Sequence, residues 1–161
     1  MKWVNTQGYT LVKDEKKSTW FKAIYEFNLS KDWPLTLVAD NGRQYTPDRH
    51  YFTDMGSIPR FLQVLVPKDR SLAFFTHDSS YEFGGLYIDG FFCELTREEA
   101  DDLLYQGMLC DPIPVARPIA WLVWSQVRMW GKGNFNKRTD VPPEPPTGLD
   151  RSGPMPTLKQ A

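Results

Sequence analysis

The chain has 161 residues, a hydrophobic fraction of 41%, an aromatic fraction of 14% and a formal net charge of −1. That length favours one domain with a buried core, and the composition excludes a disordered chain. Near-neutral charge leaves no electrostatic footprint for nucleic acid or an anionic membrane, and two cysteines, Cys93 and Cys110, are too few for a small secreted disulfide scaffold.

The opening "MKWVNTQGYTLVKDEKK" lacks an apolar run of signal-peptide length, and no stretch reaches the roughly 20 apolar residues that span a bilayer. The first third reads as strands. Residues 21–29, "FKAIYEFNL", alternate Phe21, Ala23, Tyr25, Phe27 and Leu29 against their neighbours, an imperfect period of two. Asn41-Gly42 predicts a two-residue type I′ hairpin turn between arms at 35–40 and 43–47, and "HYFTD" (50–54) a further short strand.

The pattern turns helical at "GSIPRF". Ser57 is a candidate N-cap, Pro59 suits a first turn, and Phe61, Leu62, Leu65 and Val66 form an apolar face before Pro67. A second helix starts near Asp69 or Ser71 and runs to about Phe83, where Gly84-Gly85 ends it. The third opens on a capping box, with Thr96 and Glu99 as its reciprocal pair, and continues to about Cys110. A fourth, roughly 117–130, carries Ile119, Leu122, Val123, Val127 and Trp130 at helical spacing and stops at Gly131 and Gly133. Residues 139–161 hold six of the thirteen prolines and predict an extended, polyproline-like tail. Such a tail is either a solvated terminus or an arm that packs along a neighbouring subunit. The expected architecture is α+β: one domain over 1–138, an N-terminal β-hairpin or small antiparallel sheet followed by about four helices, and then the tail.

Two stretches carry candidate chemistry. In "FFTHDSSYEF" (74–83) a helix puts His77 on one face with Ala73, Phe74 and Tyr81, half-buried, with Asp78 turned aside by about 100°. The third helix can bring Asp101, or its neighbour Asp102, opposite His77. A carboxylate on one ring nitrogen fixes the tautomer and makes the other nitrogen a better base, and Tyr81 can donate to that carboxylate. Asp78 is then placed to hold a cation, with Asp54 as a second oxygen ligand. In "TDMGSIPR" (53–60), Gly56 lets backbone approach a ligand and Ser57 opens a helix whose first N–H groups suit an anion. The plain alternative is a strand-to-helix turn with Ser57 as its cap.

Three ordered motifs, "TDMGSIPRFL", "AFFTHDSSY" and "TREEADDLLYQGM", with the aromatic fourth helix, resemble the phage and bacterial family catalogued as domain of unknown function 1353, over residues 45–133. The resemblance implies a viral or prophage origin, hence the host cytoplasm or the virion, and names no reaction. The HDxxY helix and ADxxL helix are also similar, more distantly, to the phospholipase A2 helix pair. That likeness implies His77 as base, Asp101 as its orienting carboxylate, Tyr81 as support and Asp78 as calcium ligand. The glycine-rich calcium loop and the disulfides of the secreted enzymes are absent here, and Asp54, His77 and Asp78 equally suit Zn²⁺ or Mn²⁺. The expected function is a metal-assisted hydrolase acting on lipid ester or cell-envelope polymer. The alternative is a virion structural or assembly protein in which Asp54, His77, Asp101 and Arg97 are a packing network and the tail grips another phage protein.

Overall fold

The computed structural model describes residues 1–18, 24–32, 34–53, 66 and 71–135. They form an α+β architecture of two antiparallel sheets and three α-helices. The strands are β1 (Lys2–Val4), β2 (Tyr9–Lys13), β3 (Tyr25–Leu29), β4 (Thr36–Val38), β5 (Gln44–Thr46), β6 (His50–Thr53), β7 (Gly85–Ile88) and β8 (Phe91–Glu94). The helices are α1 (Leu72–Phe83), α2 (Arg97–Leu109) and α3 (Arg117–Trp130), with a 3₁₀ turn at Gly131–Asn134. One sheet runs β1-β4-β5-β7-β8 and the other β2-β3-β6. The predicted helix from Ser57 and the tail from 139 lie outside the described residues, apart from Val66, which is buried.

The expected N-terminal hairpin is present as β4 and β5, and the expected small antiparallel sheet is part of a larger β-structure that β7 and β8 extend. The turn of the hairpin differs from expectation. Gly42 alone takes a positive φ of 86°, while the Gly42 N–H donates to Ala39 O and the Ala39 N–H to Arg43 O. This is a three-residue loop ending in a left-handed glycine, the bulged alternative to type I′. The type I′ turn occurs instead at Asp89-Gly90, with φ of 50° and 86°, joining β7 to β8.

Strand β3 alternates as predicted: Phe27 and Leu29 are buried. Phe27 meets Tyr51 of β6 and Phe75 of α1 at ring-centroid distances of 4.7 and 5.3 Å. Helix α1 lies inside the fold, packing on α2, β6 and β7, and only Asp78 and Glu82 escape full burial. Burying a side chain such as Phe74, Phe75 or Leu72 contributes about 1.5–3 kcal/mol, so the helix is held by packing on all sides rather than by one apolar stripe. Its ends are capped from different places. Gly84 closes it in the left-handed conformation, φ 71°. At the start, Asp111 from the loop after α2 accepts from the Ser71 hydroxyl at 2.5 Å and the Leu72 N–H at 3.1 Å. Helix α2 carries the predicted capping box, Glu99 N–H to Thr96 Oγ1 at 3.2 Å and Thr96 N–H to Glu99 Oε2 at 2.7 Å.

Candidate functional site

Helices α1 and α2 approach closely because Gly107 has no side chain: a Cβ there would stand 2.9 Å from the Ala73 Cβ. That contact sets the rotation of α2. Ala100, Asp101, Leu104, Gly107 and Met108 turn inward, and Asp102 turns out to accept from Trp124 Nε1 at 3.0 Å. Of the two aspartates, Asp101 therefore faces His77.

His77 Nε2 lies 3.2 Å from Asp101 Oδ1, and the Tyr81 hydroxyl donates to the same oxygen at 2.5 Å. The His77 and Tyr81 rings lean together, 4.1 Å between centroids. The other carboxylate oxygen is served from α3, with Arg128 Nη1 3.4 Å from Asp101 Oδ2. Arg97 Nη1 is 3.9 Å from that oxygen and donates to the Arg128 carbonyl at 2.8 Å. Sequence reasoning missed Arg128 as a part of the site. It is the one charged residue between Trp121 and Trp130, and that isolation in an apolar stretch is the signal that a buried anion stands opposite.

The site is more enclosed than the half-buried ring expected from sequence. His77 is 6% exposed and Asp101 fully buried. A buried carboxylate must be hydrogen-bonded, and Asp101 is. Burial alone would pull the imidazole pKa down. The hydrogen bond with Asp101 and the nearby Asp78 carboxylate outweigh it, and His77 titrates above its ordinary 6.5. Burial would likewise push Asp101 up, but His77, Tyr81 and Arg128 hold it below its ordinary 3.8. The Tyr81 phenol is pushed up, first by burial and then by the Asp101 carboxylate it serves.

The second ring nitrogen has a different setting. Among the described residues, Nδ1 is buried without a hydrogen-bond partner, and Asp78 Oδ1 is 3.7 Å away. That is an ion-pair distance, too long for a hydrogen bond. Asp78 Oδ2 accepts from the Thr53 hydroxyl at the end of β6. Tyr51, on the same strand, donates to the Phe75 carbonyl at 2.5 Å and so fixes β6 against α1.

The remaining sequence candidates, Asp54, Gly56 and Ser57, lie outside the described residues. Among the described residues no three His, Cys, Asp or Glu side chains converge as a cation site. A nitrogen and an oxygen 3.7 Å apart, as His77 Nδ1 and Asp78 Oδ1 are, fit the edge of a coordination shell whose bonds run about 2.0–2.4 Å. Further ligands would have to come from outside this pair. No helix among the described residues is long and apolar enough to cross a membrane. Comparison with protein-family models, with curated proteins and with solved structures returned no match.

Proposed function

We propose that the chain is a phage-type hydrolase in which His77 takes a proton from water at Nδ1. The observation that carries this reading is the asymmetry of the ring. Nε2 is committed to Asp101, which Tyr81 and Arg128 hold in place, while Nδ1 has no hydrogen-bond partner among the described residues. With Nε2–H donated to Asp101, the lone pair sits on Nδ1, and a raised imidazole pKa makes it a stronger base. The proton removed from water resides on Nδ1, and the imidazolium so formed is balanced by Asp101. The likeness to the phospholipase A2 helix pair supports the same roles for His77, Asp101 and Tyr81, and with the motifs shared with the phage family it favours phospholipid ester or cell-envelope polymer as substrate. In the metal-assisted form, Asp78 and Asp54 would hold Ca²⁺ or Zn²⁺, which would supply Lewis-acid polarisation of the scissile carbonyl. The host cytoplasm or the virion is the matching location.

The test is turnover of anionic phospholipid vesicles and of purified peptidoglycan, with Ca²⁺, with Zn²⁺ and with chelator. Activity in the full chain that disappears in His77→Gln, at a temperature where the variant keeps its near-ultraviolet circular dichroism, supports the reading. No turnover of either substrate under any of these conditions overturns it. A second reading is then favoured by the burial of His77 and Asp101: a virion structural or assembly protein in which His77, Asp101, Tyr81, Arg97 and Arg128 pin three helices together.

A further inference from the structure

The two glycines that follow α3 read in the sequence as a helix stop, yet neither takes the left-handed conformation with which Gly84 closes α1. Gly131 has φ −72° and ψ −13°, ordinary helical values, and its N–H continues the helix ladder to the Val127 carbonyl. Any residue adopts that conformation, and alanine forms helix more readily than glycine does. The need for glycine at 131 comes instead from across the interface with α1. A Cβ there would stand 2.7 Å from the Tyr81 hydroxyl oxygen, and 3.2 and 3.3 Å from Cε1 and Cζ of the same ring. Gly133, two residues on in the same 3₁₀ turn, has nothing within 4 Å of its Cβ position.

The tip of an exposed tyrosine would swing away from such a contact. Tyr81 is buried, and three neighbours hold it. Its hydroxyl donates to Asp101 Oδ1 at 2.5 Å, and its ring meets His77 at 4.1 Å and Phe135, edge-on, at 5.2 Å between centroids. A methyl group at 131 therefore displaces the hydroxyl at the expense of its bond to Asp101.

We propose that Gly131 is a positioning residue for His77, acting through Tyr81. The last turn of α3 comes close enough to set where the phenol donates on Asp101. The same turn reaches the other carboxylate oxygen directly. Arg128 Nη1 lies 3.4 Å from Asp101 Oδ2, and the Arg128 carbonyl accepts from Arg97 Nη1 at 2.8 Å, which ties the turn to α2. One turn of helix thus governs both oxygens, Oδ2 by Arg128 and Oδ1 through the phenol that Gly131 admits. Oδ1 is also the oxygen that His77 Nε2 meets at 3.2 Å. Two donors share it, so moving one changes the other. A phenol pushed off Oδ1 leaves more of that oxygen's charge to the imidazole N–H, and the bond from His77 shortens. That the coupled ring is a general base rests on the hydrolytic reading above; the coupling itself does not.

The test is the imidazole N–H proton of His77, read at one fixed pH in ¹H–¹⁵N spectra of the full chain carrying ¹⁵N-histidine, with His50→Gln assigning the two rings. Gly131→Ala should move this proton downfield, with the same sign as Tyr81→Phe. Gly133→Ala should leave it in place. In the double variant Gly131→Ala/Tyr81→Phe, the alanine should add little to the effect of Tyr81→Phe alone, because the hydroxyl it displaces is gone. A His77 proton unmoved by Gly131→Ala overturns the proposal. An equal shift with and without the Tyr81 hydroxyl also overturns it, and so does a shift of the same size in Gly133→Ala, because the turn then acts by general loosening. Tyr81→Phe is decisive even where Gly131→Ala does not fold: a His77 proton indifferent to loss of the hydroxyl leaves Gly131 no route to the ring. Turnover is read in none of these variants, so this coupling and the hydrolytic reading can fail separately.

Discussion

Replacing Asp101 by asparagine is the sharpest perturbation of the site, because it keeps the shape and removes the charge. In the native chain, Asp101 Oδ1 receives Tyr81 and His77, and Oδ2 receives Arg128. Removing one partner of a buried ion pair costs about 3–5 kcal/mol, since the other charge is left uncompensated. The same change has a second, independent readout. Burial pulls the His77 pKa down and the hydrogen bond with Asp101 is the first cause that raises it, so in Asp101→Asn the titration should fall. Each unit of that fall is worth about 1.4 kcal/mol. The chain has only two histidines, so ¹H–¹³C spectra of labelled imidazoles contain two titration curves. The other imidazole, His50, is exposed and paired with Glu26 at 2.9 Å. The sign of the pH dependence follows. The folded His77 pKa is raised, so its contribution to stability is complete below 6.5 and fades as pH rises through the folded value. The folded Asp101 pKa is depressed, so its contribution is complete above 3.8 and fades as pH falls through the folded value. The gap in unfolding free energy between wild type and Asp101→Asn should therefore be widest between 3.8 and 6.5 and should narrow on either side, as pH rises through the folded His77 value or falls through the folded Asp101 value. A His77 titration unmoved by the substitution, or a stability loss below about 1 kcal/mol by urea unfolding, would refute the reasoning.

Two further substitutions probe what positions the site. Gly107→Ala adds a Cβ 2.9 Å from Ala73, and overpacking of about 1–3 kcal/mol exceeds the roughly 1 kcal/mol that alanine gains in helix propensity, so a net loss is expected by urea unfolding; a stabilised variant would show that the helices do not need this contact. Asp111, which caps α1 through Ser71 and Leu72, is pushed up to about 6 by burial, so the folded chain binds the extra proton between 3.8 and about 6. Stability should rise as pH falls through that window by up to about 3 kcal/mol, and Asp111→Asn should remove this component of the slope; a slope unchanged in the variant would contradict it.

Much of the helical part was legible because the punctuation is local. Gly84, Thr96 and Glu99 do in the structure what their residue types do in isolation, while Ser71 holds the N-cap position without a side-chain capping bond and gives its hydroxyl to Asp111. The β-structure was less legible. Strands β1, β4 and β5 have three residues each, too few for a period of two to emerge, and the partners of β1 and β5 are distant in sequence: Lys2 lies opposite Val38 and Tyr45 opposite Ile88. The β7–β8 hairpin was readable from Asp89-Gly90, whose aspartate also ties the turn to β5 by accepting from the Gln44 N–H at 2.9 Å. It was passed over because Gly84-Gly85 looked like a helix stop alone, whereas Gly85 also begins a strand. A Cβ at Gly85 would stand 2.3 Å from the Cys93 carbonyl.

The choice between Asp101 and Asp102 was open in the sequence for a reason that the structure makes plain. Ala100, Leu104, Gly107 and Met108 form the buried stripe of α2, and Asp101, three residues before Leu104 and seven before Met108, falls inside it. Asp102 falls outside. Treating every aspartate as solvent-facing hides this, although a carboxylate inside an apolar stripe is itself a statement that cations and donors await it. Those donors come from three helices: His77 and Tyr81 on α1, Arg97 on α2 and Arg128 on α3. Among the described residues His77 Nδ1 has no hydrogen-bond partner and stands 3.7 Å from Asp78 Oδ1. An unsatisfied buried nitrogen costs about 1–3 kcal/mol, and in the proposed reading a water molecule or a cation at Nδ1 would offset that cost, whereas a structural network would leave it standing.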